Sequence, residues 1–390
     1  MTLTSLLEEY LETRPRISVD SRLVGDGDWF FALKGAKTDG ALFINQAIEK
    51  GAKKIIEQDA LFLLQNLAKE VQKRRKAKVI AVTGSVGKTT TKEMISQMLQ
   101  TKFKVGKTSG NQNSQIGFPM SLLNDVNGDE DFLVLEMGMT HPGNIIQLAE
   151  IAPPYISVIT KIALVHAQNF NGLEGIADAK GEILVHPNIH AAVINEEAKV
   201  YKGISERGTC KKIYFSKNED YPTPNLPKHH YENFVAACKV FELCGGKREE
   251  IITHFTNVGK RFQLIEKNGI FFLNDSYNAA EISIIGALEN MPEGKRKLAV
   301  LGEMRELGPY SEAAHTKVGE KTLETLDDII LVGEGTKPIQ DLWEKHRLKP
   351  PIVKSYVEAL DLIRLKAEEG DVVLVKGANS LNLWKICEEF

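Results

Sequence analysis

Cysteine is scarce in this chain: Cys210, Cys238, Cys244 and Cys387 are the only four, and no two stand in C-x-x-C spacing. That pattern suggests neither a zinc site nor a redox pair, so reduced, partly buried thiols are expected. Long apolar runs are also missing, since none reaches the ~18 residues that a membrane-spanning helix needs, and no membrane span is expected. Charge of one sign is not in excess. The net value is -3 with acids and bases interspersed, which leaves no basic footprint for nucleic acid. The first residues, MTLTSLLEEYLETRPR, lack the basic start and apolar core of a secretory leader. A cytoplasmic location follows as the expectation. What the chain does have is 390 residues, 43% of them hydrophobic, more than one ordinary core accommodates, so two or three packed domains are expected.

One stretch organises the rest. Lys78 to Leu99, KVIAVTGSVGKTTTKEMISQML, joins a β-branched strand (Val79 to Val82) to a glycine turn and then to a helix whose Met94, Ile95, Met98 and Leu99 share a face. The general phosphate loop, G-x-x-x-x-G-K-[ST], has a glycine where Val82 stands here, but the strand, turn and helix come in the required order. Thr83, Gly84, Ser85, Val86 and Gly87 form a turn whose backbone can wrap an anion. Lys88 adds positive charge, Thr89 offers a hydroxyl to Mg2+, and Thr90 continues the helix start, where free N–H groups point at phosphate. The bland reading is a strand-to-helix turn with an incidental lysine. The residue types together favour an ATP site.

The organisation expected is α/β with three domains: a small α/β domain over residues 1–77, a central P-loop domain with a mostly parallel sheet over 78–258, and a Rossmann-like domain over 259–390. In the first, strands are expected near Asp28 to Lys34 and Lys53 to Glu57, with helices at Ala41 to Lys50 and up to Lys76. Its notable stretch contains Asp20, Ser21 and Arg22, then DWFFALKG and Lys37-Thr38-Asp39-Gly40. Arg and Ser there can serve a diphosphate or a uracil edge, or form a turn with a solvated charge pair. The basic run Lys73-Arg74-Arg75-Lys76-Lys78 reads as a solvated linker face. Central strands are expected at Phe132 to Leu135, Ile156 to Thr160, Ala191 to Ile194 and Lys212 to Phe215. Later ones are expected at Ile270 to Asn274, Leu298 to Leu301, Ile329 to Val332 and Val372 to Val375. Open α/β sheets bind ligands at the carboxyl ends of their strands, which places Glu136 and His166 toward the phosphate loop. The final domain carries no P-loop, and closure over ATP and a second substrate is the expected use of it.

With Lys88, Glu136, His166 and Lys180 in hand, the order of motifs resembles the ATP-dependent Mur ligases of peptidoglycan synthesis over essentially the whole chain. SVDSR...GDWFFALKGAKTDG resembles the family's UDP-sugar-binding domain. TGSVGKTTTKE, SGNQNSQIGFPMSLL, LEMGMTHPGNI and VHAQNF...IADAKGEI follow the central-domain pattern, and NDSYNA, LGEMRELG and LVKGANS match the last domain. No DNPR-type motif of the diaminopimelate- or lysine-adding branch is present. The resemblance therefore implies the branch that joins D-alanyl-D-alanine to a UDP-N-acetylmuramoyl-tripeptide, as a monomer, with ATP and Mg2+.

It also implies roles. Lys88 would hold the β and γ phosphates, Thr89 and Glu136 the first Mg2+, and His166 a second metal; Lys180 matches a lysine that is carbamylated in several members. Asn111 and Asn113 match the loop beside the metals, Asn233 the adenine contact, Arg261 an arginine reaching the γ-phosphate, and Asp275 the ribose contact. Asp20, Ser21 and Arg22 match the UDP-sugar side, and Ser276, Tyr277 and Asn278 the amino side. Taken singly, each has an ordinary reading: Glu136 as a loop cap, His166 as a bonded loop histidine, Lys180 as a solvated helical lysine, Arg261 as surface charge. Three departures stand out: Ala280-Glu281 replaces Asn-Pro, His230 replaces Asn, and Ala378-Asn379 replaces Ser-Arg. The rivals are a sister ligase with another amine, or a nucleotide-binding scaffold whose activity has decayed.

Overall fold

The computed structural model describes residues 2–35, 38–256 and 262–390, so Lys37 and Arg261 lie outside the described residues. These fall into two compact units. The first combines Met1–Lys161, Ala177–Tyr221 and Asn233–Ile252; the second combines Ile162–Ile176, Pro222–Glu232 and Thr253–Phe390. The architecture is α/β, with two sheets in the first unit and one in the second.

The first sheet is small and parallel, in the order β1 (Ile17–Ser18), β2 (Trp29–Phe31) and β3 (Lys54–Ile56). Trp29, Phe30 and Phe31 are all buried. Against them pack the helices Leu3–Thr13 and Ala60–Lys73, the latter burying Leu63, Leu64, Leu67, Ala68 and Val71 on one face. β1 is an edge strand of two residues, and the side chain of Asn124 completes it. Ile17 N donates to Asn124 Oδ1 (2.8 Å), and Asn124 Nδ2 donates to Ile17 O (2.9 Å). The helix Gly117–Asn124 thus takes the place of a neighbouring strand.

The carbonyls that end that helix need donors, and the sequence supplies them from elsewhere. Tyr10 Oη donates to Leu123 O (2.6 Å), and Arg75 Nη2 donates to Leu122 O (2.8 Å) and Val126 O (3.1 Å). Here the structure corrects the expectation of a solvated basic run: Arg75 is drawn in as a carbonyl clamp, while Lys73 and Arg74 stay largely exposed.

The second sheet is wholly parallel. Its members are β4 (Lys78–Thr83), β5 (Val105–Lys107), β6 (Phe132–Glu136), β7 (Ile156–Ile159), β8 (Ala191–Asn195) and β9 (Lys211–Phe215), in the order β5-β6-β4-β7-β8-β9. β4 pairs with β6 on one side and β7 on the other. The chain therefore reverses its winding about β4, and such a switch point opens a crevice at the strand ends. The buried residues of β4, Val79 to Val82, are the run legible in the sequence.

The second unit holds β10 (Gln263–Lys267), β11 (Ile270–Asn274), β12 (Lys297–Gly302), β13 (Asp328–Val332), β14 (Ile352–Val353) and β15 (Val372–Lys376), in the order β10-β11-β15-β12-β13-β14. Only β10 against β11 is antiparallel. Side chains alternate between two cores. Leu273, Leu301, Leu331 and Leu374 face one. Phe272, Val300, Ile330 and Val373 face the other. A sheet covered on both faces reads as continuous apolar runs, which is how these strands look in the sequence.

Candidate active site

The turn after β4 is held in shape by the end of β7. Thr160 Oγ1 donates to Val86 O (2.7 Å), and Ser85 N donates to Lys161 O (2.8 Å). Gly84 has φ +144, and a side chain there would place its Cβ 1.8 Å from Thr160 Oγ1. Gly87, at φ +90, starts the helix Lys88–Gln100, and its Cβ would lie 2.4 Å from Asn233 Oδ1. Both glycines are therefore required by close approach as well as by backbone angle. Lys88 Nζ donates to Gly84 O (2.9 Å) and Ser85 O (3.2 Å), resting on the turn itself.

The residue after Lys88, Thr89, lies against the end of β6. Thr89 Oγ1 donates to Glu136 Oε2 (2.5 Å), and Asn113 Nδ2 donates to Glu136 Oε1 (2.6 Å). Glu136 is buried. A buried carboxylate that is tied on both oxygens and sits beside a hydroxyl presents hard oxygen donors, the chemistry that Mg2+ prefers. Among the described residues no cluster of three or more His, Cys, Asp or Glu has metal-binding geometry. One carboxylate and a hydroxyl suit an ion whose shell substrate phosphates complete.

Lys180, near the end of the helix Gly172–Gly181, is buried in the same unit. Burial, and then the neighbouring Lys88 ammonium, hold its pKa well below the usual lysine range, with Glu136 and Glu182 pulling the other way. The neutral amine is thus favoured, and a neutral amine is the form that can add CO2. Asn233 meets Thr91 (3.3 Å) beside Gly87. Asn111 is exposed, and its carbonyl accepts from Asn113 N (2.7 Å).

His166 belongs to the second unit. Its backbone is left-handed (φ +58), and its Nδ1 pairs with Glu306. Carboxylates in this position orient an imidazole and set its tautomer. Glu306 was not singled out by the sequence, although it lies within LGEMRELG; 140 residues separate the two partners. A second unflagged residue is Lys376, a charge closing an apolar strand in the same manner as Glu136. Its buried Nζ donates to Asp275 Oδ2 (2.5 Å), Asp275 O (3.2 Å) and Asn278 O (3.0 Å). Asp275 Oδ1 in turn accepts from Phe262 N (3.2 Å).

Ser276 is buried with its hydroxyl on Asn274 Oδ1 (2.5 Å), Tyr277 is half-buried and Asn278 is exposed. The Ala280-Glu281 departure is absorbed locally. Ala280 caps the helix Glu281–Glu289, its N–H donates to Ser283 Oγ (3.0 Å), and Glu281 in the first turn pairs with Lys317. An acid at a helix N-terminus is favourable, so no proline is needed to start this helix. On the remaining stretch, Arg22 Nε and Nη2 grip Asp20 (2.9 and 2.7 Å), holding its carboxyl down at about 2. Ser21 Oγ donates to Gln46 Oε1 (2.6 Å). The pair is an exposed turn closed on itself.

Three family models match the chain: "Mur ligase family, catalytic domain" over residues 16–102, "Mur ligase middle domain" over 82–265, and "Mur ligase, glutamate ligase domain" over 260–379. A curated relative, UDP-N-acetylmuramoyl-tripeptide--D-alanyl-D-alanine ligase of Bacillus subtilis, is 32% identical across 96% of this chain and 92% of its own. The equivalent enzyme of Escherichia coli is 29% identical over 86% of each. Among solved structures, the MurF ligase from Thermotoga maritima in complex with ADP superposes with TM-score 0.80 at 28% identity, covering 97% of both chains.

Proposed function

The chain belongs to the Mur ligase family, and we propose that it is the member that joins D-alanyl-D-alanine to a UDP-N-acetylmuramoyl-tripeptide, using ATP in the cytoplasm as a monomer. The observation that carries the chemistry is the Thr89–Glu136–Asn113 constellation one residue beyond the phosphate-loop lysine. ATP phosphorylates the peptide's terminal carboxylate, giving an acyl phosphate and ADP. The amine of the dipeptide then attacks the acyl carbon, loses a proton, and expels inorganic phosphate to leave an amide. Such transfer rests on positioning and charge neutralisation.

Each residue has a place in that scheme. The turn Thr83 to Gly87, shaped by Thr160 and Lys161, would let the N–H groups at Gly87 and the helix start donate to the β-phosphate. Lys88 swings from its own loop carbonyls onto the transferring phosphate. Thr89 and Glu136 would hold Mg2+, which would supply further charge neutralisation there. Lys180 as its carbamate would present an anion in place of a neutral amine and so face the Lys88 ammonium with opposite charge. In the second unit, Glu306 would steady the His166 imidazole for use as a metal ligand, and Lys376 would hold Asp275 for a ribose hydroxyl. Asn233, beside Gly87, meets the adenine.

Oxygen transfer tests the scheme. With the tripeptide's terminal carboxylate labelled with 18O, one label should appear in the released phosphate, because the acyl phosphate cleaves between carbon and the bridging oxygen. Label-free phosphate would remove the acyl-phosphate step. Lys88→Ala should abolish release while leaving the thermal unfolding midpoint unchanged, since it deletes a charge and no core packing.

A further inference from the structure

The helix that opens the phosphate site carries a second lysine, Lys92, whose side chain is wholly buried. It follows Thr89 by three positions and so lies on the same face of the helix. A buried ammonium is costly unless each N–H is met, and a well-packed apolar residue in its place is often neutral or stabilising. Lys92 meets all three. Its Nζ donates to Thr108 O (2.6 Å) and Gly110 O (3.1 Å) and lies 3.2 Å from Glu93 Oε1. Glu93 is met on its other oxygen by Lys107. Two of the three partners are backbone carbonyls in one short stretch, residues 108–113.

That stretch wraps Glu136. Glu136 N donates to Thr108 Oγ1 (3.2 Å), Asn113 Nδ2 donates to Glu136 Oε1 (2.6 Å), and Gly138 N donates to Asn113 O (2.8 Å). Gly138 has no side chain to obstruct this approach: a Cβ there would lie 2.8 Å from Asn113 Cγ. The stretch has little regular structure and is exposed at Ser109, Gly110 and Asn111, so its own packing does little to fix it. A buried cation clasping its carbonyls does.

We infer that Lys92 is a positioning residue: its ammonium pins the 108–113 stretch over Glu136, so that Asn113 and Thr89 hold that carboxylate in the orientation a divalent cation requires. The inference rests on reading Thr89 and Glu136 as the metal pair. Lys92 touches neither phosphate nor metal and acts through the loop.

The test compares Lys92→Met, Lys92→Gln and Lys92→Arg with the full-length protein. Amide hydrogen exchange, measured without nucleotide or metal, should rise about tenfold over residues 108–113 in Lys92→Met while residues 79–100 stay as protected as before. In phosphate release, half-saturating Mg2+ should rise about 10- to 100-fold, as for loss of other groups that orient a metal ligand, with ATP-analogue binding in the absence of Mg2+ unchanged. Lys92→Arg, which can still bridge two carbonyls, should return both readings to within about threefold of the parent. If Lys92→Met does not fold, the same two readings on Lys92→Gln decide. Unchanged exchange over 108–113 with an unchanged Mg2+ curve in a folded variant overturns the inference. A parent protein whose turnover ignores divalent cations would instead overturn the metal reading, and the exchange comparison would still judge Lys92.

Discussion

Gly87→Ala drives a methyl group into Asn233. The left-handed backbone at φ +90 costs an alanine about 1–2 kcal/mol. A Cβ 2.4 Å from Asn233 Oδ1 is nearer than real contacts allow, so the amide must leave and its 3.3 Å bond with Thr91 is lost, adding about 1 kcal/mol. The sum is about 2–3 kcal/mol. Gly143 provides the control. It opens the helix Asn144–Ile151 at φ +86, yet a Cβ there meets nothing within 4 Å, so Gly143→Ala should lose only the backbone part, about 1–2 kcal/mol. Urea unfolding reads both differences. Asn233→Ala loses the same Thr91 bond, so Gly87→Ala/Asn233→Ala should be no less stable than Gly87→Ala alone, a coupling of about 1 kcal/mol. Equal losses at Gly87 and Gly143, or strict additivity in the double variant, would refute the close-approach argument.

Other consequences follow from buried charge. Because burial and Lys88 depress the Lys180 pKa, the unfolded chain binds more protons there than the folded one, and stability rises with pH as the folded ammonium is lost. Lys180→Met should be more stable than the parent at low pH, with the gap closing as pH rises; a pH-independent gap would contradict the assigned cause. Burial holds His229 down to about 4 against its ordinary 6.5, so the second unit should lose up to about 3 kcal/mol as pH falls from about 6.5 to about 4. His229→Leu should remove that acid-sensitive component in denaturation series across this range. Lys376→Met leaves the Asp275 carboxylate without its cation and should cost about 3–5 kcal/mol by urea unfolding, partly recovered in Lys376→Met/Asp275→Asn.

What could be read from the sequence was what is local. The Val79 to Val82 strand, the glycine turn and the helical face of Met94 to Leu99 are contiguous, and all occur where expected. Glu136 stood out as a polar residue ending an apolar strand, and its two partners are the groups placed around it. Burial of a single charge is a tertiary property and left no local mark. Lys92 lies inside the stretch singled out at the start, yet a lysine early in a helix looks solvated until the Thr108 and Gly110 carbonyls are in place. Arg75 was hidden in a basic run for the same reason. The Glu306 partner of His166 is far along the chain, and β1 and β14 have two residues each, too few for any periodicity to register.

The most direct test of the central claim is phosphate release from ATP in the presence of UDP-N-acetylmuramoyl-tripeptide, comparing D-alanyl-D-alanine with single D- and L-amino acids and with no amine. Release that depends on the dipeptide, with a product mass equal to tripeptide plus dipeptide less water, is the predicted result. Release driven by a single amino acid would move the chain to another branch of the family. ATP binding with no release under any amine would contradict the assignment of a ligase.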